Sequence, residues 1–355
     1  MKVSIKKSIL ENILLNTQPY LEKKDLSQIT SHVLLSTEEN QLVIKATDYE
    51  IGLSYHTPEV LISTFGQASA NGKKLLDIIK SLKDDDIVLE TINDYLHIQQ
   101  SHSKFKLPML NPSDFPIFPA IDNKPKFNID SATLVRAIKK IAPSIDTNNP
   151  KFELNGALID IKDNTIHLVA TDTKRLAVMS IEQQTEHNFS LIIPKKAISE
   201  IQKLFFDEIE IFYDENTLIA QSSYFTFYTK LINGKFPDYA RIIPKTKNYS
   251  LSLSRELMID AIKQIAIISA EIKLTFQSEK IIFESLNDDN IEAKTEIDFH
   301  TGLENEIYLA VNSRYVLDFL SHIENNSFTL GFNDSGLPFT LESENFMTIV
   351  MPIMI

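Results

Sequence analysis

Cysteine is absent from the 355 residues, so disulfide staples, thiolate metal sites and a Cys nucleophile are excluded at once. Glycine is scarce, eight in all, which leaves little material for a phosphate-cradling loop. No P-loop, dinucleotide fingerprint or nucleophile elbow occurs. The eight histidines are scattered, without an HExxH pair or a comparable ligand cluster, and neither a metal site nor a cofactor is expected. No uninterrupted apolar run approaches the ~20 residues of a membrane helix. The start, Met1-Lys2-Val3-Ser4-Ile5-Lys6-Lys7, lacks the apolar stretch of a secretory signal, and a cytoplasmic location without membrane attachment is expected. Positive charge is in deficit. The formal net charge of −13 argues mildly against general adhesion to nucleic acid, although a basic stripe on an acidic exterior can still meet a phosphate backbone.

What is present is an ordinary globular mixture, 43% hydrophobic and 23% charged, in a chain long enough for two or three domains. It contains a threefold repeat. Ser8-Ile-Leu-Glu-Asn-Ile-Leu-Leu, Ala132-Thr-Leu-Val-Arg-Ala-Ile-Lys and Glu256-Leu-Met-Ile-Asp-Ala-Ile-Lys align with Leu10, Leu134 and Met258 at successive intervals of 124 residues. Apolar residues follow at +3 and +4, the spacing of an amphipathic helix. A second helix recurs as Gly72-Lys-Lys-Leu-Leu-Asp-Ile-Ile-Lys, Pro194-Lys-Lys-Ala-Ile-Ser-Glu-Ile-Gln and Asn312-Ser-Arg-Tyr-Val-Leu-Asp-Phe-Leu, with Leu76, Ile198 and Val316 in register. Between the helices lie strand-like stretches such as Leu42-Val-Ile-Lys-Ala-Thr-Asp, Ile166-His-Leu-Val-Ala-Thr-Asp and Lys280-Ile-Ile-Phe-Glu-Ser-Leu. Each unit closes on a further strand, at Phe105–Leu110, at Phe227–Ile232 and at the terminal Val350–Ile355; Pro-containing connections, Asp114-Phe-Pro-Ile-Phe-Pro and Lys235-Phe-Pro-Asp-Tyr, follow the first two.

Two helices per unit with many strands between them predict an α+β fold of three similar domains, at 1–119, 120–244 and 245–355. Asp48 and Asp172 are the carboxylates of the repeated Ala-Thr-Asp motif. They could form a catalytic pair, but repeated positions more often mark turns in which Asp bonds its own backbone, and an enzyme is not expected.

The ordered fragments Leu154-Asn155-Gly156, Ala170-Thr-Asp-Thr-Lys-Arg-Leu-Ala177, Gly234-Lys-Phe-Pro-Asp-Tyr239 with Arg241, and Val350-Met-Pro352 resemble those of bacterial DNA polymerase III β subunits, the sliding clamps, over essentially the whole chain. The resemblance implies three clamp domains per chain, helices on the inner face, antiparallel sheets on the outer face, and a head-to-tail homodimer closing a ring around double-stranded DNA. It implies a non-catalytic processivity factor, with ATP used by a separate loader. An apolar partner-peptide pocket is expected from Leu154, Thr171, Thr173, Lys174, Arg175, Leu176, Pro237, Arg241, Ile242 and Pro338, together with Ile349, Val350, Met351, Pro352, Ile353 and Met354 of the last strand. Met side chains suit varied ligand shapes. A wholly buried strand is the plainer reading of that last run, and one strand can be both. The implied partners are the polymerase III α subunit, the clamp loader, other polymerases, mismatch repair proteins and ligase. Thr173-Lys174 stands where Gly-His is frequent in the family, and Met354-Ile355 where a basic residue is common.

For DNA, the candidates are Lys73, Lys74, Lys80, Arg136, Lys139, Lys140, Lys195, Lys196, Lys203 and Arg314 on the helices, with Lys23, Lys24, Lys151 and Phe152 in loops. A cation at a helix N-terminus opposes the macrodipole by about 0.3–1 kcal/mol, so its repetition points to phosphate contact. For any single lysine, a solvated helix face is the plainer reading. The ring interface is expected to join Lys74, Ile78, Phe105 and Leu107 to Ile267, Ile268, Glu292 and Glu296 of a second copy. A protein-interaction scaffold of the same fold that does not encircle DNA is the alternative.

Overall fold

The computed structural model describes residues 1–25, 28–184, 188–206, 208–286 and 291–355. The first domain runs β1 (Lys2–Lys6), α1 (Lys7–Thr17), β2 (His32–Glu38), β3 (Gln41–Thr47), β4 (Ile51–Thr57), β5 (Val60–Thr64), β6 (Gln67–Asn71), α2 (Gly72–Ser81), β7 (Asp86–Ile92), β8 (Tyr95–Gln100) and β9 (Ser103–Pro108). The second runs β10 (Lys126–Phe127), α3 (Ser131–Ile141), β11 (Gly156–Lys162), β12 (Thr165–Thr171), β13 (Arg175–Glu182), β14 (Phe189–Pro194), α4 (Lys195–Leu204), β15 (Glu210–Tyr213), β16 (Thr217–Gln221) and β17 (Phe225–Lys230). The third runs β18 (Tyr249–Ser254), α5 (Arg255–Ala266), β19 (Glu271–Phe276), β20 (Lys280–Ser285), β21 (Lys294–Asp298), β22 (Ile307–Asn312), α6 (Ser313–His322), β23 (Ser327–Phe332), β24 (Phe339–Ser343) and β25 (Phe346–Val350). One order recurs three times: strand, helix, four strands, helix, three strands. Among the described residues, the first domain alone adds a strand, β5.

The helices bury the stripe that their spacing predicts. Leu10, Ile13 and Leu14 of α1, Leu134, Ala137 and Ile138 of α3, and Met258, Ala261 and Ile262 of α5 are all buried. Leu76, Ile198 and Val316 occupy the matching place on the second helix of each domain and are buried too. Asn71 and Asn312 start α2 and α6 in the same way, their side chains accepting from the amides of Lys74 and Arg314 at 3.1 and 3.0 Å.

Among the described residues the strands form four antiparallel sheets. One has the order β10-β15-β16-β17-β4-β3-β2-β6 and another β14-β11-β12-β13-β25-β24-β23-β18. Each is completed by a strand from the next repeat, β17 pairing with β4 and β25 with β13. The smaller sheets are β5-β1-β7-β8-β9 and β21-β20-β19-β22. The chain divides into two compact units, Met1–Ser131 with Leu204–Leu231, and Ala132–Lys203 with Ile232–Ile355. Each eight-stranded sheet lies wholly within one unit.

The repeated aspartates are turn formers. Asp48 Oδ1 accepts from the amides of Glu50 and Ile51, and Asp172 Oδ1 from those of Lys174 and Arg175, all at 2.9–3.0 Å. The preceding Thr47 and Thr171 hydroxyls donate to the carbonyls four residues on, at 2.8 and 2.7 Å. Tyr49 and Thr173 take the left-handed backbone the turn demands, at φ 73° and 70°.

His32 on β2 is buried, with Nδ1 3.4 Å from Ser69 Oγ. Burial, and then the charge of Lys74, lower its pKa from 6.5 to about 4. The unfolded chain therefore takes up the proton first as the pH falls. This contribution to stability is intact above about pH 6.5 and is lost as the pH drops toward 4. At about 1.4 kcal/mol per pH unit the loss reaches at most about 3 kcal/mol. Urea unfolding at pH 7 and pH 4.5 is expected to show a smaller difference for His32→Gln than for the wild-type chain.

Candidate functional site

The seam between β13 and β25 carries a row of apolar side chains on one face. Alternation along each strand and the observed register set Ile192, Leu158, Val169, Val178 and Met347 side by side across five strands. Thr171, Leu176 and Ile349 form the next row. Leu154, Phe236 and Tyr239 complete a buried cluster with these residues, and Ile232, Ile243 and Met347 pack against it. Ile242, Leu337, Met351 and Met354 are exposed by 41%, 50%, 43% and 77%. Thr173, Lys174 and Arg241 are exposed as well, and Pro237, Pro338, Pro352 and Ile353 are half-buried.

The first seam, between β4 and β17, is an internal control. The row that corresponds across its five strands reads Ser69, Leu34, Lys45, Ser54 and Thr226. One backbone ladder thus carries five apolar side chains at one seam and a single one at the other. Packing common to the repeats does not account for that difference.

The last residues are tied down beside the second seam. The Met351 amide donates to the Lys174 carbonyl at 2.9 Å, and the Ile353 amide to the Ala310 carbonyl at 2.7 Å. The Met354 thioether lies near Gly336, where an added Cβ would stand 3.5 Å from Met354 Cε.

Arg175, expected in the pocket, is buried in a polar network. Its side chain is 4% exposed. Nε binds Asp172 at 3.0 Å, Nη1 binds Asp318 at 2.7 Å, and Nη2 donates to the Pro143 carbonyl. The Tyr315 ring lies 4.5 Å from the guanidinium carbon. Arg175 therefore clasps β13 to α6, with each of its three side-chain nitrogens hydrogen-bonded. Thr171 and Val350 are likewise buried, in the turn and in the ladder.

Tyr239 belongs to a polar group at the edge of the cluster. Its hydroxyl donates to Asp160 Oδ2 at 2.7 Å, and Lys162 Nζ reaches the same oxygen at 2.7 Å. Burial acts to raise the Asp160 pKa, but the hydrogen bonds from Lys162 and Tyr239 outweigh it and leave the carboxyl low. Burial and the bond to Asp160 push Tyr239 up to about 12.

The basic candidates lie mainly at the surface. Lys23, Lys24, Lys73, Lys74, Lys80, Arg136, Lys139, Lys151, Lys196, Lys203 and Arg314 are exposed, and Phe152 is 73% exposed. The six α-helices among the described residues hold 13 Lys or Arg and 6 Asp or Glu, although the chain as a whole is at −13. Lys195 is half-buried, and its ammonium binds the Ile145 carbonyl at 2.8 Å and Thr147 Oγ1 at 2.7 Å. Lys140 lies over the Phe346 ring, and Lys203 binds Glu200 at 2.8 Å.

Among the described residues, β9 and β21 are end strands of their sheets, each paired on one side alone. Leu107 is buried and Phe105 half-buried on β9, and Ile78 and Lys74 lie on α2. Ile267 is 82% and Ile268 38% exposed after α5. Glu292 is exposed, whereas Glu296 already binds Lys280 at 2.8 Å.

Several site residues escaped sequence reasoning. Leu158, Val169, Val178 and Ile192 belong to the cluster, and their signal was the two-residue alternation on β11 to β14; Phe236 and Tyr239 join it from the connection after β17, and Met347 of β25 packs against it. Two other cavities lie away from the seam, an enclosed one in the third-domain core lined by Met258, Val316 and Phe339, and an open cleft lined by Ser8, Asn12, His56 and Tyr224. No group of His, Asp and Glu able to hold a metal occurs among the described residues.

Comparison with known proteins gives a single family. Models of the DNA polymerase III beta subunit match here by the N-terminal domain at residues 1–119, the central domain at 128–238 and the C-terminal domain at 240–354. The Beta sliding clamp of Helicobacter pylori is 39% identical, over 99% of this chain and 100% of that protein. That of Pseudomonas putida is 29% identical over 94% of each. Among solved structures, the Helicobacter pylori beta clamp bound to a DNA ligase peptide superposes with a TM-score of 0.94 at 39% identity, covering all of both chains. A Pseudomonas aeruginosa sliding clamp bound to griselimycin gives 0.93 at 26% identity, again over both whole chains.

Arg175→Leu is expected to lower the unfolding free energy by about 2–3 kcal/mol, because it strands Asp172, Asp318 and the Pro143 carbonyl. Asp318→Asn, which keeps a hydrogen-bonding group opposite the fork, is expected to cost less. Urea titration of the two variants beside the parent chain measures both.

Proposed function

The chain belongs to the DNA polymerase III beta subunit family, and from that membership we propose the working cycle of a sliding clamp: a non-catalytic ring that encircles duplex DNA and tethers the replicative polymerase to it. Domain boundaries at 1–119, 120–244 and 245–355 fit the threefold order of elements. Retention is topological, so individual DNA contacts can be weak. Exposed lysines and arginines on the helices and at Lys23, Lys24 and Lys151 supply sequence-independent phosphate contacts that permit sliding. A polymerase tethered to such a ring gains effective concentration at the template.

The observation that carries the tethering role is the contrast between the two seams. The apolar row at β13–β25, with Ile242, Leu337, Met351 and Met354 exposed around it, suits a short peptide with apolar anchors. Lys174 and Arg241 at its rim favour acidic flanks on that peptide. The ligase peptide held by the Helicobacter pylori relative supports this reading, and the polymerase α subunit, loader, other polymerases, mismatch repair proteins and ligase are the proposed users of the site.

Ring closure follows from the same pairing rule. The last strand of the second repeat pairs with β4, and that of the third with β13. The corresponding strand of the first repeat is β9, and the corresponding receiver is β21, so the third seam joins β9 of one copy to β21 of another. Carrying over the register of the existing seams sets Leu107 opposite Ile291, Lys106 opposite Glu292, and Phe105 opposite Ala293. Ile291 is 54% exposed, and Lys106 and Glu292 are exposed. A free edge of this kind is an aggregation hazard unless it is paired.

Two measurements test this reading. Loaded onto nicked circular DNA by its cognate loader with ATP, the protein is expected to co-elute with the circle at high salt and to be lost once the DNA is linearised; equal behaviour on both DNAs, with a control clamp loading normally, would leave the non-encircling scaffold. In sedimentation, Lys106→Glu and Glu292→Lys are each expected to weaken dimerisation about tenfold, and the double exchange to recover most of it. No recovery would place the third seam in another register.

A further inference from the structure

Gly52 and Tyr228 face each other across the first seam, at the positions that Leu176 and Ile349 hold across the second. A Cβ on Gly52 would lie 2.2 Å from Tyr228 Cε1. The tyrosine ring thus fills the volume that a side chain at position 52 would need, and glycine is required there for space. The ring is buried, and its hydroxyl is 2.6 Å from Thr47 Oγ1, the counterpart of Thr171.

A second aromatic covers the first. Phe118, in the connection after β9, meets Tyr228 edge-on with ring centroids 4.8 Å apart, and Lys45 Nζ lies 5.9 Å from the Phe118 centroid. Phe115-Pro116 in this connection corresponds to Phe236-Pro237 in the next, which makes Tyr239 the counterpart of Phe118. Tyr239 turns instead toward β11, where its hydroxyl holds Asp160. Phe118 leans onto the seam, while Tyr239 is anchored to one side of it.

We propose that the first seam is a self-occupied counterpart of the peptide site. Tyr228 fills its floor, and Phe118 occupies the place that an apolar anchor of a partner peptide takes at the second seam. Each chain consequently carries one open peptide site and one that its own aromatic side chains close. This inference rests on the second seam being the peptide site. The ligand class admitted on opening is the same, a short peptide with aromatic or leucine anchors, and the polar row Ser69, Lys45, Ser54 and Thr226 makes its binding weaker there.

The test rebuilds the first seam with the residues of the second, in the full-length chain. Gly52→Leu alone is expected to destabilise by clash, and Tyr228→Ile alone by a cavity. Combined, they are expected to cost less than the sum of the two, read as urea midpoints. Additive losses would overturn the proposal. If Gly52→Leu does not fold, the double variant is compared with Tyr228→Ile: a higher midpoint for the double supports the filling, and an equal or lower one overturns it. Adding Phe118→Ala then opens the site. The fluorescein-labelled DNA ligase peptide of the Helicobacter pylori complex is expected to bind the wild-type chain at one per chain, and the folded triple variant at two. A folded triple variant that still binds one overturns the proposal. A wild-type chain that binds none fails the second-seam reading instead, and the stability coupling, which involves no peptide, still decides how the first seam is filled.

Discussion

Antiparallel pairing between the last strand of one repeat and the receiving strand of its neighbour is the constraint on which the rest of this structure depends. A strand edge buried without a partner leaves a column of amides and carbonyls unsatisfied, at a cost of one to several kcal/mol for each group. The repeats meet that cost by lending strands: β17 completes the sheet of β4, and β25 that of β13. Three repeats in an open chain leave one lender and one receiver over, β9 and β21. The receiving strand that pairs on one side alone is also the short one, five residues where β4 has seven and β13 has eight. In the proposed ring, dimerisation is the third instance of a pairing that the chain already makes twice.

The same ladder then carries different chemistry at each seam. Backbone pairing fixes where side chains stand and leaves open what they are, so repeated seams can diverge without disturbing the fold. At the second, the row is apolar and Arg175 bolts the turn to α6 through Asp172 and Asp318. At the first, Ile51 stands in the place of Arg175 and Tyr228 in that of Ile349. In the proposed peptide site, the buried guanidinium ties the Asp172 turn to α6.

The helices, the threefold period and the α+β class were legible in the sequence because amphipathic spacing is local: Leu10, Leu134 and Met258 announce themselves within two turns. The repeated Ala-Thr-Asp motif was legible as a turn for the same reason. The seams were not. Gly52 and Tyr228 are far apart in the chain, and nothing near either residue signals that one lacks a side chain to admit the other. Arg175 shows the complementary limit. Its motif placed it among the pocket candidates, but only the fold shows that its three side-chain nitrogens are engaged by Asp172, Asp318 and the Pro143 carbonyl. Lys195 was legible as a basic residue at a helix start, while its engagement with Ile145 and Thr147 was not.

Charge distribution resolves the tension between an acidic chain and a DNA-facing role. Helices α2, α3 and α4 hold nine of the 13 helical cations and only two of the six helical carboxylates, while α1, α5 and α6 balance at four of each. The excess is therefore confined to three helices and set against a strongly negative remainder. A uniformly basic protein would hold DNA through many strong contacts and lose mobility along it. In the proposed ring, closure retains the substrate, so only enough positive potential to keep the duplex centred is needed, and screened lysines at the ends of flexible stems suit that without fixing a register. For the proposed DNA contacts, an acidic remainder disfavours a phosphate backbone away from the basic helices.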